Sequence, residues 1–263
     1  MEEQLKIDFD KVVESLKLSD ENIKFRKKNL NEFIKSGFPN KRIEDWKFSD
    51  LNQIINSNIK ELTFFNDFSK SFHVEDSIYI SNFEHNKIVF INNSISKIDF
   101  NYEEKDKVEI IENLDLIKDN NQTNTLISLN NALLANYVKI TIKKNYSLNK
   151  PLIIYNITNK ELNSTTVNLR TDITLEENSS LKLINIANDD SANNFINIYQ
   201  NFKIDKDAIL KNYKIDSNDN LNIKYFFNNI DLGNNSLAET FVFSTGSRFI
   251  KNEINCNLNH EHS

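Results

Sequence analysis

Hydrophobic and polar positions repeat with two different periods along the chain. Around residues 8–57 apolar residues recur every three, four or seven positions, which is the period of an α-helix. A mixed region follows, in which residues 78–80 and 87–91 read as short buried strands. After about residue 120 apolar residues alternate with polar ones, as in half-buried strands. The alternating sets are Val138, Ile140 and Ile142; Val167 and Leu169; Ile173 and Leu175; Leu181 and Leu183; Phe202 and Ile204; Leu221, Ile223, Tyr225 and Phe227; and Ile254, Cys256 and Leu258.

The helical part ends in a short segment that holds scarce residue types. Residues 37–51, GFPNKRIEDWKFSDL, contain the only Trp of the chain, one of its two Pro and one of its three Gly. Ser19 or Asp20 can cap the helix before this segment. Gly37 can take the left-handed position at the helix end, and Pro39 prevents its continuation. The Ser-Asp pair near the end of the segment can cap a second, short helix.

Trp46 and its charged neighbours allow a structural and a functional interpretation. As a structural residue, Trp46 would be an aromatic anchor that packs a helical subdomain. As functional residues, Arg42, Glu44 and Trp46 would form a binding site. The segment supplies no nucleophile and no set of metal ligands for such a site, so the sequence favours the structural anchor.

The turns between the alternating segments bear on the architecture. Tight two-residue hairpins usually need Asn-Gly or Asp-Gly, and the sequence contains neither pair. Looser corners are indicated instead at Asn159, Asn178, Asn188 and residues 218–220, because Asn tolerates left-handed backbone angles. A parallel β-helix uses such corners. Periodicity alone does not separate it from an antiparallel sandwich, so both architectures stay open at this point.

Three short segments carry a family resemblance. The first is a helix followed by a Gly-Phe-Pro turn and the sequence RIEDWKFSDL at residues 42–51. The second is LNNAL at residues 129–133, which opens the strand-rich stretch, and the third is KPLII at residues 150–154. Together they resemble the SufB/SufD family, which assembles iron–sulfur clusters, and they are closer to the SufD branch. The resemblance covers most of the chain, and the segment around Trp46 is its most specific part.

The resemblance implies a mainly β fold, a right-handed parallel β-helix core preceded by an N-terminal helical and mixed α+β region. A polar run at residues 118–122 supplies the boundary. We therefore expect an N-terminal region at residues 1–120, which could cap one end of the β-helix, and a core at residues 121–263. In the family the core continues into further coils and a C-terminal helical region that docks the SufC ATPase. Because no such part is present, we expect a fragment or a truncated form that is incomplete at its C-terminal end.

The resemblance also implies a non-catalytic role. We expect a SufD-like scaffold subunit that pairs with a SufB-like subunit and the SufC ATPase, with a homodimer as a further option. No catalytic, cofactor-binding or metal-binding residue is assigned to this chain alone. An iron–sulfur cluster, if one is bound, is expected at the interface of the assembled complex.

Composition restricts the classes of partner and the cellular location that can be expected for this chain. The 263-residue chain has a formal net charge of -6, and its Lys and Arg residues lie scattered among acids, so no basic stripe is available for nucleic acid. One Cys excludes an internal disulfide, and the N-terminus has no secretory signal pattern. No apolar run approaches the ~18 residues of a membrane helix. The sequence therefore predicts a cytoplasmic protein without nucleic-acid or membrane partners.

Five Cys and His residues are the candidates for metal binding. Cys256 alternates with apolar residues, which predicts a side chain in the core. His260 and His262 would face the same side of a strand and could hold Fe or Zn, although their place at the chain end favours a frayed tail. His73 and His85 have no Cys or His at ligand spacing, so we expect surface or hydrogen-bonded histidines. None of the five matches the Cys/His-bearing C-terminal segment of the family.

Two other functions remain as alternatives to the scaffold. One is a β-helix enzyme acting on polysaccharide, and the other is a truncated paralogue that only dimerises or has no function. The sequence holds no Gly-rich phosphate loop and no Gly-x-Ser-x-Gly pattern. The net negative charge would repel an acidic polysaccharide. Arg170 and Arg248 are the only arginines after residue 42, which weakens the enzyme alternative further.

Overall fold

The computed structural model describes residues 1–67, 76–117, 124–217 and 220–258. In these residues the chain is mainly β and forms a β-solenoid of about four turns, preceded by helices. The α-helices are α1 (Glu2–Ser15), α2 (Asp20–Ser36), α3 (Leu51–Asn58) and α4 (Thr125–Leu133), and 3-10 turns lie at Glu44–Trp46, Asp76–Ile78 and Leu114–Leu116.

Two six-stranded sheets make up the solenoid. The strands are β1 (Asn86–Ile91), β2 (Ser94–Asp99), β3 (Val108–Ile111), β4 (Tyr137–Ile142), β5 (Leu152–Thr158), β6 (Thr166–Leu175), β7 (Ser180–Asp189), β8 (Phe195–Ile204), β9 (Ile209–Ser217), β10 (Ile223–Leu232), β11 (Leu237–Thr245) and β12 (Phe249–Leu258). The first sheet has the order β11-β9-β7-β5-β1-β2 and the second β12-β10-β8-β6-β4-β3. All neighbours are parallel except β1–β2 and β3–β4. The predicted parallel solenoid is confirmed, and an antiparallel sandwich is excluded.

Asn and Asp residues shape one corner of each successive coil. Asn145, Asn178, Asp207 and Asn235 have φ angles of 61°, 57°, 58° and 55°, a region that Asn and Asp enter more readily than most residues. Each of the first three donates its backbone N–H to a carbonyl in the same corner of the next coil, at 2.9–3.0 Å. The corners therefore stack like the strands, and the predicted corner at Asn178 is confirmed.

The main core lies between the two sheets. Alternate residues of each strand point inward, and parallel register aligns them into rows that cross the coils. One such row in the second sheet is Ile140, Ile173, Phe202 and Ile230, each at most 2% exposed. The solenoid therefore buries apolar side chains by stacking equivalent positions, which explains why period-two alternation dominates this part of the sequence.

The N-terminal helices follow the predicted start and stop signals. The Ser19 hydroxyl accepts a hydrogen bond from the backbone N–H of Asn22 at 3.2 Å, so Ser19 is the N-cap of α2. Gly37 ends this helix with a φ of 66°. Asp50 caps α3, because its carboxylate accepts from the backbone N–H of Gln53 at 2.8 Å. These three predictions are confirmed.

The helices cover an outer face of the solenoid and not one of its ends. They pack against outward-pointing residues of β8 and β10, namely Phe195, Tyr199, Ile223, Tyr225 and Phe227. The helical side of this cluster is made of Leu5, Phe9 and Val12 of α1, Leu30 and Phe33 of α2, Trp46 of the 3-10 turn, Leu51 and Ile55 of α3, and Leu126, Leu129 and Leu133 of α4. The expectation that N-terminal helices cap an end of the solenoid is therefore wrong. The first coil is instead bordered by β2 and β3, which pair antiparallel at the sheet edges.

One local prediction also needs correction. Residues 78–80 form no strand: Ile78 ends a 3-10 turn, and the three residues pack on the outer face of β1 and β5. This apolar run is too short for periodicity to separate a strand from other buried structure. The LNNAL segment at residues 129–133 lies in α4, directly before β4, and so opens the strand-rich stretch as expected. β1, β2 and β3 precede residue 120 and join the same two sheets as the later strands. The division into regions 1–120 and 121–263 stays a prediction.

Candidate interaction site at the last coil

The last described coil leaves its inner surface open. β11 and β12 are the outermost strands of their sheets, and no strand in the described ranges pairs with their free edges. On β12, Ile254 aligns with Asn228 and Leu258 aligns with the buried Leu232. Ile254 is nevertheless 47% exposed and Leu258 62% exposed. The coil therefore presents apolar side chains and unpaired backbone groups together, as does a sheet edge that can pair with a further strand.

Cys256 belongs to this open surface, so the prediction of a buried Cys256 is wrong. It aligns with Ile230, which is 2% exposed, and so occupies the inner side of β12 as its alternation with apolar residues indicates. It is exposed because no described coil lies over it. Its direction followed from the alternation, but its burial depended on a neighbouring coil.

One coil below this surface, a charged cluster lies inside the solenoid. Lys224 of β10 is fully buried, and its Nζ contacts the Asp216 carboxylate of β9 at 2.8 and 3.0 Å. Asp189 at the end of β7 forms a second ion pair with the same Nζ. The cluster links the two sheets across the interior. Asp189 also accepts hydrogen bonds from the Thr158 hydroxyl at 2.8 Å and from the Asn220 side-chain amide at 3.2 Å. Burial of these charges is tolerated because they are paired and hydrogen-bonded.

Lys214 extends the cluster toward the last coil. It lies on β9, is 6% exposed, and donates from Nζ to the side-chain oxygen of Asn252 on β12. Burial lowers the pKa of Lys214 to about 6; Asp216 counteracts this shift and Lys224 adds to it. The amine is therefore largely neutral at neutral pH, which lets it remain inside without a carboxylate of its own.

The sequence analysis missed these interior charges. On β9, Tyr213 and Ile215 look like the inward residues and Lys214 and Asp216 like the solvated ones. The structure reverses this order, since Tyr213 and Ile215 are 37% and 39% exposed while Asp216 is fully buried. A usable signal was the pair of oppositely charged residues, Lys214 and Asp216, on one side of a strand, because such pairs can be buried together.

The Trp46 segment is fixed to the last coil. Trp46 is 4% exposed and stacks on Phe249 of β12, with ring centroids 6.4 Å apart. Lys251 lies over the Trp46 ring at 4.8 Å and donates from Nζ to the backbone carbonyl of Asp45 at 2.8 Å. The anchor interpretation of Trp46 is confirmed, and the anchor holds the helices to the last described strand.

The other candidate residues do not assemble around Trp46 or Cys256. Arg42 is exposed, and Glu44 pairs with Lys47 at the surface. His85 is 4% exposed, and its ring nitrogens lie 3.0 Å from the carbonyl oxygen of Phe83 and 3.0 Å from the Tyr155 hydroxyl. The prediction of a hydrogen-bonded His85 is confirmed. The positions His73, His260 and His262 lie outside the described residues.

The open coil carries the groups of an interaction surface. It combines exposed apolar side chains, two free strand edges and one exposed thiol. In the described ranges no group of three or more His, Cys, Asp or Glu side chains is close enough to hold a metal ion. The geometry therefore offers strand pairing with a further coil.

Comparison with known proteins agrees with this geometry. Residues 155–263 match the profile of one protein family, described as SUF system FeS cluster assembly, SufBD core domain. This part of the chain is similar to the core domain of the SufB and SufD proteins. The SufBD core begins within β5 and includes all the following strands, and it links the chain to iron–sulfur cluster assembly. A search of curated protein sequences finds no match.

Among the residues with described structure, no helix is both long enough and apolar enough to cross a bilayer.

Proposed function

We propose that this protein is a SufD-like scaffold subunit of a cytoplasmic iron–sulfur cluster assembly complex. It pairs with a SufB-like subunit and with the SufC ATPase, and it is not itself an enzyme. The cluster is the cargo of the complex, and no residue of this chain is assigned as a catalytic, cofactor-binding or metal-binding group. Ligands for the cargo come mainly from the partner, at the interface between the subunits.

The match of residues 155–263 to the SufBD core domain is the observation that supports this proposal most directly, and the edges of the last described coil offer a surface for pairing. A solenoid buries its core by stacking coils, so an uncovered coil gains stability when a coil of matching width lies over it. A SufB-like subunit with the same core supplies strands of the same spacing. Ile254, Cys256 and Leu258 then become buried at the junction, and the free edges of β11 and β12 find hydrogen-bond partners.

The location of the arginines weighs against the polysaccharide enzyme. A site for an acidic sugar polymer would need exposed basic groups along one sheet face. Arg170 is 2% exposed and bound to Asp172 at 3.0 and 3.1 Å. Its guanidinium lies 5.7 Å from the ring centre of Tyr137 and 4.8 Å from that of Tyr199. It therefore contributes to packing and is not available to a polymer.

Co-purification from a native lysate tests the scaffold function. A tagged copy of the chain should recover a SufB-like subunit and the SufC ATPase. Leu258→Glu places a charge on the open inner surface of β12, where a covering coil would have to bury it, so it should abolish recovery of the SufB-like subunit. The measurement is the amount of each subunit recovered per tagged chain, by quantitative mass spectrometry.

Ile7→Glu is the matched control, because Ile7 is 48% exposed on α1 and lies away from the last coil. This variant should recover both partners as well as the wild type does. Recovery of neither partner by the wild-type chain would refute the scaffold function. Equal recovery by Leu258→Glu and Ile7→Glu would refute pairing through the last coil.

A further inference from the structure

The chain closes the first end of the solenoid with its own residues. At this end β2 is the outermost strand of the first sheet and β3 is the outermost strand of the second. Residues 100–107 join β2 to β3, so this connection crosses the opening between the two sheets. Residues 94–111, which comprise β2, the connection and β3, therefore form an end cap over the first coil.

The inner side of the end cap continues the apolar rows of the core. The cap residues that pack against the main core are Ile95 and Ile98 of β2, Phe100, and Val108 and Ile110 of β3. Ile98 aligns with Ile88 of β1, and Ile110 aligns with Ile140 of β4. Ile88 and Ile140 are fully buried, so the cap shields the end of the core from solvent.

The outer edges of the cap carry features that hinder the addition of another strand. β2 has six residues and β3 has four, whereas β6, β7 and β8 have ten each. The register between β1 and β2 skips Ser96, and the neighbouring Lys97 is exposed. On β3, Glu109 is exposed. Short strands, bulges and edge charges are the means by which sheets avoid pairing edge to edge.

One carboxylate fastens the end cap to the coil behind it. Glu103 lies in the connection between β2 and β3. Its Oε1 accepts hydrogen bonds from Asn86 Nδ2 at 2.6 Å and from the backbone N–H of Lys150 at 3.2 Å. Its Oε2 accepts from the Tyr146 hydroxyl at 2.8 Å and from the backbone N–H of Asn149 at 3.0 Å. Glu103 thus ties the cap to the start of β1 and to the corner before β5.

This arrangement of donors requires a carboxylate. An ionised carboxyl group only accepts hydrogen bonds and has room for about four of them. Glu103→Gln keeps the shape of the side chain, but its NH2 group would face two of the donors and leave them without an acceptor. The backbone N–H of Glu104 also donates to the Tyr146 hydroxyl, at 3.1 Å. The contacts that hold the cap therefore meet at Glu103 and its neighbour.

Without the cap, the first coil would present an edge that another solenoid could extend. β1 and β4 would then be the outermost strands, and their unpaired backbone groups would lie beside the apolar side chains of Ile88 and Ile140. Such an edge is a template for pairing with another chain. A second copy of this chain carries coils of the same width and strand spacing, so it is the partner that fits this edge best.

We propose that residues 94–111 are an end cap that blocks association of a second copy of this chain at the first coil, and that Glu103 holds the cap closed. The cap restricts strand pairing between solenoids to other parts of the molecule. This inference concerns the first coil alone and does not rest on the scaffold function.

Hydrogen–deuterium exchange of the full chain tests the role of Glu103. In Glu103→Gln the backbone amides of residues 94–111, Asn149 and Lys150 should exchange faster by about tenfold or more, because bonds to a charged group are lost and the cap opens locally. The amides of β7 and β8 should keep their wild-type rates. Tyr146→Phe removes one of the four donors and should give a smaller increase.

Glu104→Gln is the matched control, because it makes the same change on the adjacent, exposed side chain. Its exchange rates should equal those of the wild type. An increase in β7 and β8 of Glu103→Gln as large as that in residues 94–111 would overturn the role of Glu103 in the cap, in favour of general support of the fold.

Sedimentation velocity and crosslinking test what the cap keeps out. At equal concentration, Glu103→Gln should sediment as a larger species than the wild type and Glu104→Gln. Copies with natural and heavy nitrogen are mixed, so that mass spectrometry recognises lysine crosslinks between copies. These crosslinks should involve Lys87 of β1 and Lys139 of β4, the strands beneath the cap. Unchanged sedimentation of Glu103→Gln would overturn the blocking role, and crosslinks between copies only at other lysines would overturn its place at the first coil.

Discussion

The two outer faces of the solenoid carry similar apolar rows, but these rows are buried on one face and partly exposed on the other. On the second sheet, aromatic residues of β8, β10 and β12 lie beneath α1–α4 and the Trp46 segment. On the first sheet, residues 78–80 pack against β1 and β5, and in the described part of the chain Tyr213 of β9 and Phe241 and Phe243 of β11 are 37%, 57% and 50% exposed. One face is thus an internal packing surface and the other an external one.

The difference shows that strand sequence alone does not define the surface of a solenoid. Tyr225 and Phe241 are both aromatic, both outward-pointing and both in parallel strands. Tyr225 is fully buried and Phe241 is 57% exposed, because a helical segment far away in the sequence folds back over only one of them. Substitutions at equivalent positions on the two faces should therefore have very different consequences.

The largest contrast is expected between Trp46→Ala and Phe243→Ala. Trp46 is 4% exposed between helices and sheet, so its truncation leaves a cavity and should cost roughly 3–5 kcal/mol of unfolding free energy. Phe243 is 50% exposed, so its truncation should cost less than ~1 kcal/mol. Urea unfolding followed by circular dichroism measures both. Similar losses for the two variants would mean that the two faces are equally packed.

A second contrast compares ion pairs on the two faces. Arg170 binds Asp172 and also donates to the side-chain oxygen of Asn131 at 2.8 Å, within the covered face. Arg170→Met removes the charged partner of Asp172, which keeps only the Tyr137 hydroxyl at 2.9 Å, and the donor to Asn131, so it should cost about 2–3 kcal/mol. Lys211→Met removes only the exposed pair with Glu239 and should cost at most about 1 kcal/mol.

Urea unfolding of these two variants at neutral pH gives the comparison. High salt should weaken the stability contribution of Lys211 and leave that of Arg170 nearly unchanged, because buried pairs are screened much less. A cost of Arg170→Met as small as that of Lys211→Met would contradict the buried role of the guanidinium.

The last contrast concerns the pH dependence of stability and compares an inward with an outward lysine of the first sheet. Burial lowers the pKa of Lys214 from 10.5 to about 6 in the folded state. Between these two values the unfolded chain binds the proton and the folded chain does not, so stability should rise with pH, by at most about 1.4 kcal/mol per unit. Lys214→Met should remove this rise and stabilise the protein at neutral pH.

Lys182→Met is the control for this pH dependence, since Lys182 is exposed on the outer face of the same sheet. Its unfolding free energy should keep the wild-type slope when urea unfolding is repeated at several pH values between 6 and 10.5. A slope that persists in Lys214→Met would show that another group produces it.

Local signals predicted much of the fold. The caps at Ser19 and Asp50 and the stop at Gly37 act within a few residues, so sequence was sufficient to find them. Alternation over successive strands, together with the Asn corners and the family resemblance, predicted the parallel solenoid. The resemblance itself holds where residues 155–263 match the SufBD core.

The candidate site was harder to predict because it depends on contacts between distant segments. Nothing near Lys224 in the sequence indicates that it is buried between Asp189 and Asp216, which lie on another sheet. The inward direction of Cys256 followed from its neighbours, but its exposure depended on whether another coil covers β12. Local patterns do not contain this information.

The sequence by itself determined the caps of α2 and α3, many of the alternating strands and the corner at Asn178, since these follow from periodicity, capping and backbone preferences of nearby residues. Only the tertiary structure decided which side of β9 is inside, so that Lys214 is buried while Tyr213 is 37% exposed. A strand offers two faces with the same period of two, and the face that becomes core is chosen by what packs on each one. That choice is made by coils and helices distant in the sequence, which is why it became visible only in the folded chain.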